Sequence, residues 1–356
     1  MAKEPHILVA PLNWGLGHAT RCIPVIRALT EKNVRVSIAA EEHPKALLEK
    51  EFPDLDFFDL PGYQITYPSG GNMAIHMVKL MPKILKGISE ERKALEKLIK
   101  EKNIDGVISD NRFGLHTNLV PTVFITHQVM IKSAFAESII QKLNRRFISK
   151  FDTCWIPDYE GEPNLSGDLS HRYEKPKGAR FIGPLTRFSR SEPKKVDIEV
   201  LAIISGPEPQ RTLFQHIVQT ELEISNLKSV MVIGKAEQPQ HLKLENIEVR
   251  SHATATELED LINRSKYLVT RSGYSTLMDL AAMGRSAIMI PTPGQTEQEY
   301  LAQYHMDRKH YFAIDQDRFD LEEAIKFSTD FEGVFLPPTP DKMNRAIEEF
   351  LGIIRD

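Results

Sequence analysis

The chain has 356 residues, 41% of them hydrophobic and 26% charged, an ordinary globular composition at a length that one core seldom covers, so two domains are expected. A formal net charge of -4 gives no general reason for a nucleic-acid partner. Cys22 and Cys154 stand far apart with no C-x-x-C spacing, which excludes a disulfide framework and suits a reducing cytoplasm. The apolar run before Asn13 is shorter than the core of a signal peptide, and no stretch approaches the roughly 20 apolar residues of a membrane span. A cytoplasmic protein is expected, meeting a membrane only from its surface.

In chain order, His6 to Leu12 reads as a buried strand, and Asn13-Trp14-Gly15-Leu16-Gly17 as a tight loop feeding a helix from about His18 to Lys32. Val34–Ala40 is the next strand, Pro44–Lys50 a helix and Leu55–Leu60 a third strand, and the alternation continues through Asp105–Ser109 and Thr122–Thr126. Such alternation is the pattern of a parallel sheet with helices on both faces. The segment Trp155–Arg180 shows no clear periodicity and is rich in turn residues, so it reads as an unusually long loop. A polar stretch after Phe181, S-R-S-E-P-K-K-V-D, reads as a linker. Beyond it the alternation restarts with Val200–Ile204, a helix from about Arg211, Ser229–Ile233, Ile247–Arg250 and a helix near Glu257–Asn263. The expected division is 1–185, a linker at 186–198, a second domain at 199–340 and a terminal helix at 341–356.

The densest stretch is Tyr267–Gln303. A short apolar run to Thr270 breaks at Arg271-Ser272-Gly273-Tyr274, a helical pattern opens at Ser275-Thr276 and closes at Gly284, and the apolar run Ala287–Pro291 follows. A loop delivering backbone N–H groups at a helix N-terminus is suited to an anion, most simply a diphosphate. Asp279, four residues after Ser275, lies about one turn further on nearly the same face, placed to accept from a ribose. Gln298 and Glu299, near the start of the next helix, offer an amide and a carboxylate to sugar hydroxyls.

This stretch resembles the donor segment of the glycosyltransferase family 28 C-terminal domain, the MurG-like group. The resemblance implies an α/β GT-B enzyme with two Rossmann-like domains facing a central cleft, using a UDP-sugar as co-substrate and no cofactor. It also implies a phosphate-contacting loop at Ser205-Gly206-Pro207, where Gly206 permits close approach and Arg211 supplies a fork of donors. By the same likeness the neighbourhood of Ser251–Thr254 holds the base through backbone groups, and the terminal helix crosses back onto the first domain.

Gly15-Leu16-Gly17-His18-Ala19-Thr20-Arg21 matches the G-x-G-H segment of these transferases, whose histidine lies at the catalytic cleft. Gly17 brings backbone close to a ligand, and His18 stands at a helix N-terminus that disfavours imidazolium, which suits a general base. The loop has Asn13-Trp14 where the peptidoglycan enzymes carry more glycine, a departure that bears on the acceptor. Asp110, at the end of another strand, is expected to orient His18 or to act as base itself, with Arg112 as its ion-pair partner in a structural alternative. Thr126-His127-Gln128 ends the next strand and is similarly placed. The near-match to a dinucleotide fingerprint, with Glu41-Glu42 after the second strand, has Thr20 where a third Gly or Ala belongs.

No metal is expected: Asp54/Asp56 and Asp315/Asp317 do not follow strands in the crevice pattern, and His305 and His310, five apart, do not share a helical face. Met73–Lys93 sets Met77, Leu80, Met81, Ile84, Leu85 and Ile88 at helical spacing with Lys79, Lys83 and Lys86. Gln141–Lys150 sets Lys142, Arg145, Arg146 and Lys150 among Leu143, Phe147 and Ile148. Both fit either core-facing helices or contact with an anionic lipid surface.

The function expected is an inverting, metal-independent transfer of a sugar, N-acetylglucosamine by analogy, from a UDP-sugar to an acceptor hydroxyl. Cell-envelope glycolipid or polysaccharide synthesis, with a lipid-linked acceptor, is the setting the analogy suggests. The alternatives are a UDP-sugar hydrolase using the same histidine on water, a non-catalytic nucleotide-sugar-binding protein, and, more distantly, a nicotinamide-dependent oxidoreductase.

Overall fold

The structure, a computed structural model, describes residues 4–13, 15–61, 73–132, 137–192, 194–234 and 241–355, with the side chains of residues 73–81 left out. Trp14 and the side chains of Met77, Lys79, Leu80 and Met81 therefore lie outside the described residues. The described chain divides into two compact units, Met1–Leu185 with Pro338–Asp356, and Thr186–Pro337.

The first unit holds β1 (His6–Pro11), α1 (Leu16–Thr30), β2 (Arg35–Ala39), α2 (Glu42–Glu51), β3 (Asp56–Phe58), α3 (Met73–Lys102), β4 (Gly106–Asp110) and β5 (Thr122–Ile125). It continues with α4 (Glu137–Ile148), β6 (Thr153–Ile156), α5 (Asp168–His171) and β7 (Ala179–Phe181). Its described strands pair in parallel in the order β3-β2-β1-β4-β5-β6-β7. β1 and β4 are buried along their whole length, as a parallel strand covered on both faces must be, which is why β1 reads as an apolar run without alternation.

The second unit holds β8 (Ile198–Ile203), α6 (Gln210–Ser225), β9 (Ser229–Val232), β10 (His241–Leu244), β11 (Ile247–Arg250), α7 (Ala255–Arg264), β12 (Ser265–Thr270) and α8 (Tyr274–Met283). After these come β13 (Ile288–Met289), α9 (Thr296–Asp307), β14 (Phe312–Ala313) and α10 (Leu321–Ser328). The order is β10-β11-β9-β8-β12-β13-β14, parallel except that β10 runs antiparallel to β11. Helix α6 shows how the layers lock: Phe214, Val218 and Leu222, four residues apart, form one buried stripe against Val200, Met231 and Val269. Each such side chain contributes roughly 1.5–3 kcal/mol of burial.

The last helix, α11 (Pro340–Arg355), belongs to the first unit. It buries Ala346, Ile347, Phe350 and Leu351, and Phe350 meets Trp155 edge-on at 6.2 Å. A Cβ at Gly106 would stand 2.7 Å from both Phe350 and Ile354, so glycine at the start of β4 is what lets this helix approach.

The long segment after β6 is more ordered than its sequence suggests, because one buried carboxylate gathers it. Asp158 accepts from the backbone N–H of Tyr159 (2.8 Å), Leu165 (3.0 Å) and Ser166 (2.8 Å), and from Ser166 Oγ at 2.5 Å. Side-chain-to-backbone bonds carry no periodicity, so hydrophobic patterning misses them.

Candidate functional site

Both sheets change direction at their centre, and ligands in open α/β sheets sit beyond the strand ends at such switch points. In the first unit the switch lies between β1 and β4. Gly15, at φ 73, turns the chain after β1, and α1 begins at Leu16, so Gly17 and His18 lie in its first turn. Asp110 closes β4. His18 Nδ1 lies 3.2 Å from Asp110 Oδ1, and the His18 side chain keeps 15% exposure while Asp110 is fully buried.

Asp110 takes its ion pair from Arg21, not from Arg112. Arg21 Nε donates to Oδ2 at 2.6 Å and Arg21 Nη2 to Oδ1, while Nη1 lies 3.1 Å from His127 Nδ1 and Nη2 2.9 Å from His18 Nδ1. Burial by itself would raise the Asp110 carboxyl, but the Arg21 charge overrides it and holds the group well below the usual range. The imidazole of His18 is lowered, first by burial and then by Arg21, against the pull of Asp110. A lowered, partly exposed imidazole with a carboxylate at Nδ1 is a competent general base at neutral pH.

Arg112 has been turned the other way. Asn111 adopts φ 60, and Arg112 Nε donates at 2.6 Å to Glu91 on α3, with Nη2 on the carbonyl of Leu60 at 3.0 Å. Gln128 is tied into its own loop, its N–H donating to Thr126 Oγ1 at 3.0 Å. Helix α4 turns its polar side inward: Gln141 Nε2 donates to the Val129 carbonyl at 2.8 Å and Asn144 Nδ2 to that of Gln128 at 2.9 Å. Ile139 is left 63% exposed, with Lys142 and Arg146 exposed along the same helix. On α3, Leu85 is exposed between Lys83 and Lys86, whereas Ile88 is core.

In the second unit the switch lies between β8 and β12. Ser205 and Gly206 follow β8; Gly206 has φ 118 and nothing within 4 Å of where a Cβ would stand. Arg211 is not the open fork expected: Nε and Nη2 donate to Glu208 at 3.0 and 2.8 Å, and Nη1 to the Gly234 carbonyl at 3.0 Å. The exposed Glu208, three residues earlier on the helix approach, supplies the nearer anion. Thr254 is likewise committed, forming a reciprocal capping box with Glu257.

After β12, Arg271 is 1% exposed and braces the loop from inside. Its Nη1 donates to the carbonyls of Ile290 and Pro291, both at 3.1 Å, its Nη2 to Gln316 Oε1 at 2.6 Å, and it lies 3.9 Å over the Phe214 ring. Burial pulls its guanidinium down to about 9, still charged at neutral pH. Ser272 Oγ donates to the Gln298 carbonyl at 2.8 Å, so this hydroxyl ties the loop to α9. Gly273 is the N-cap of α8, with no side-chain cap, and Tyr274, Ser275 and Thr276 form the first turn. Ser275 and Thr276 are therefore inside the helix, in the first turn at its positive end.

Asp279, half-buried on the next turn, accepts from Thr186 Oγ1 at 2.6 Å. Burial pushes its carboxyl up to about 6, with Arg187 and the Thr186 hydroxyl pulling the other way. Gln298 and Glu299 hold their own loop: Gln298 Oε1 accepts from Thr292 N–H at 2.9 Å and Glu299 Oε1 from Gly294 N–H at 2.7 Å. Each therefore has one oxygen committed before any sugar is considered.

Several side chains that pattern-reading passes over have buried polar atoms with no hydrogen-bond partner among the described residues. They include Nε and Nη1 of Arg187, Nε of Arg271, Oε1 of Gln210, and Oγ1 of Thr270 and Thr292, with His116 Nε2 and Tyr311 Oη elsewhere in the fold. Arg271 Nη2 donates to the Gln210 carbonyl at 3.3 Å, so Gln210, Arg271 and the Pro291–Thr292 turn are neighbours at the carboxyl edge of the sheet. Buried polar atoms left unmatched inside a protein cost stability unless water or a ligand satisfies them. The signal in the sequence was weak: Arg187 sits in the stretch that reads as linker.

His305 and His310 are brought together despite their spacing. α9 ends at Asp307, Lys309 takes φ 55, and the chain doubles back so that the two Nδ1 atoms lie 3.1 Å apart. A helical wheel cannot see across a helix end.

Two Rossmann-like sheets, each with its loops gathered at a switch point, define an α/β protein of the GT-B class, and comparison with known proteins identifies the chain as a glycosyltransferase. More particularly, residues 200–333 match the glycosyltransferase family 28 C-terminal domain. An uncharacterized glycosyltransferase of Methanosarcina acetivorans is 24% identical over 314 residues, covering 82% of this chain and 81% of that one. The UDP-N-acetylglucosamine--N-acetylmuramyl-(pentapeptide) pyrophosphoryl-undecaprenol N-acetylglucosamine transferase of Pasteurella multocida is 25% identical over 223 residues, 62% of this chain and 59% of that one. The structure of spinosyn rhamnosyltransferase complexed with thymidine diphosphate superposes with a TM-score of 0.62 at 13% identity, covering 96% of this chain and all of the other. Among the described residues no helix is long and apolar enough to cross a membrane.

Proposed function

We propose that this glycosyltransferase moves a sugar, N-acetylglucosamine being the favoured one, from a UDP-sugar to an acceptor hydroxyl, with inversion and without a metal. The observation that carries the reading is the pairing of His18 Nδ1 with the buried Asp110 carboxylate at 3.2 Å, on a helix start beyond the first sheet. In the tautomer that serves as base, Nδ1–H is directed at Asp110 and Nε2 is the basic nitrogen. It takes the proton of the acceptor hydroxyl as that oxygen bonds to the anomeric carbon, and the bond from that carbon to the diphosphate breaks. The negative charge of the departing diphosphate is met by the start of α8 and by Arg187, while Asp279 accepts from the ribose. Ser205, Gly206, Ser272, Gly273, Tyr274, Ser275 and Thr276 shape the loops that receive the nucleotide, and Gln298 and Glu299 present their remaining atoms to the sugar.

The name of the Pasteurella relative supports the choice of UDP-N-acetylglucosamine and of a lipid-borne acceptor. The outward Ile139 of α4 with Lys142 and Arg146 supports contact with the anionic face of a membrane. The test is release of UDP from UDP-N-acetylglucosamine by the purified chain, with and without an envelope lipid extract. The expected result is release that requires the extract, with labelled sugar recovered in the lipid. Full-rate release in buffer alone, with free sugar as product, would replace the transferase by a hydrolase.

A further inference from the structure

Three arginines are buried among the described residues, Arg21, Arg112 and Arg271. Two of them are neutralised where they lie, Arg21 by Asp110 and Arg112 by Glu91. Arg271, at 1% exposure, has no carboxylate in ion-pair reach among the described residues. Its partners are the carbonyls of Ile290, Pro291 and Gln210, the side-chain oxygen of Gln316 and the face of Phe214, all of them neutral. Its Nε–H has no acceptor. Glu208, just ahead of α6, is already taken by Arg211 and by the Thr212 N–H. A buried cation solvated by dipoles but left without a counter-charge costs the free protein stability.

The position of that charge gives it a use. Arg271 immediately precedes Ser272-Gly273, the loop that opens α8, and its guanidinium holds the carbonyl of Gln210, the first residue of α6, and that of Pro291 after β13. The strands that deliver the two helices, β8 and β12, are paired neighbours, with Thr270 beside Ile203. Neither N-cap residue, Pro209 or Gly273, supplies a side-chain cap. Two positive helix ends and one unneutralised guanidinium therefore share the carboxyl edge of the second sheet.

We propose that Arg271 is a positioning residue for the donor, a buried cation beneath the loops whose missing counter-charge is the diphosphate, so that it sets affinity for the diphosphate and not for the nucleoside. The inference rests on the donor reading above and names the charge that makes this site select an anion. It acts through the loops it braces: in surroundings of low polarity a charge is felt over several ångströms and is little screened by salt. The empty protein carries the cost of the buried cation, and the bound diphosphate relieves it.

The test compares uridine, UDP and inorganic pyrophosphate on wild type, Arg271→Gln and Arg271→Lys, by calorimetry and, for the weak nucleoside, ligand-observed NMR. Wild type is expected to bind UDP far more tightly than uridine, with an affinity that changes little as salt is raised. Arg271→Gln loses about tenfold or more in affinity for UDP and pyrophosphate and keeps its affinity for uridine. Arg271→Lys, which restores a charge but not the fork of bonds, recovers the larger part. Equal losses for uridine and UDP in Arg271→Gln, with no recovery in Arg271→Lys, make Arg271 a scaffold only and overturn the proposal. A steep fall of wild-type UDP affinity with salt overturns it too, without any variant having to fold, because the attraction then lies with exposed cations. Wild type that binds neither UDP nor pyrophosphate removes the donor reading and this inference together, whereas UDP binding that both substitutions leave unchanged removes the role of Arg271 alone.

Discussion

His18→Ala lowers turnover by about 10²–10⁴-fold, the usual worth of a positioned general base, with little change in the melting temperature. The side chain lies at the end of a helix and keeps some exposure, so its removal leaves no large cavity. Steady-state kinetics with nucleoside diphosphate release as readout would check it, and the wild-type rate should rise with pH through an acid limb and level off by neutrality. The sign follows from the lowered imidazole: a base titrating below the ordinary histidine value is already unprotonated at pH 7. A variant with near-wild-type turnover would transfer the proton to some other group and remove His18 from the chemistry.

Glu91→Ala is expected to cost about 3–5 kcal/mol of stability. Glu91 and Arg112 form an ion pair at 2.6 Å with both side chains almost wholly buried. Glu91 Oε2 also accepts from the Gly114 N–H at 2.9 Å. Truncating the carboxylate leaves a buried guanidinium and a buried N–H without their acceptor, which is the expensive half of breaking such a pair. Lys86→Ala, which removes a surface pair with Glu90 at 3.6 Å, should change stability by less than about 0.5 kcal/mol. Urea denaturation of the two variants compares them directly, and equal midpoints would mean the Glu91 pocket admits water.

The fold class was legible because buried parallel strands leave apolar runs, as His6–Pro11 does, with strands and helices alternating along the chain. Short strands were not. Ala179–Phe181 and Phe312–Ala313 contribute two or three residues each, too few for any periodicity, and exist because a neighbouring strand is there to pair with. At the candidate site, the sequence could say which residues follow which strand, so His18, Asp110, Ser205 and the Ser272–Thr276 loop were nameable. It could not say which way a long side chain turns. On paper Arg112, two residues after Asp110, is the nearby partner, whereas Arg21 is 89 residues away in sequence and comes into reach only because β1 and β4 pair side by side. Arg187 escaped notice because its setting is compositionally that of a linker, and its buried, unmatched nitrogens exist only in three dimensions. Arg211 was nameable but its commitment to Glu208 was not, since a pair three residues apart forms only if the helix begins where it does.

Thermal stabilisation of the purified chain by UDP, GDP, TDP, their sugar derivatives and NAD, repeated on Asp279→Ala, tests the central claim most directly. A ligand present at 100 times its dissociation constant adds about 2.7 kcal/mol to the native state, enough to read as a shift of several degrees. A shift with UDP-sugars that shrinks in Asp279→Ala is the predicted result. No shift with any sugar nucleotide, or a shift with NAD alone, would contradict a nucleotide-sugar site in the second unit and with it the proposed reaction.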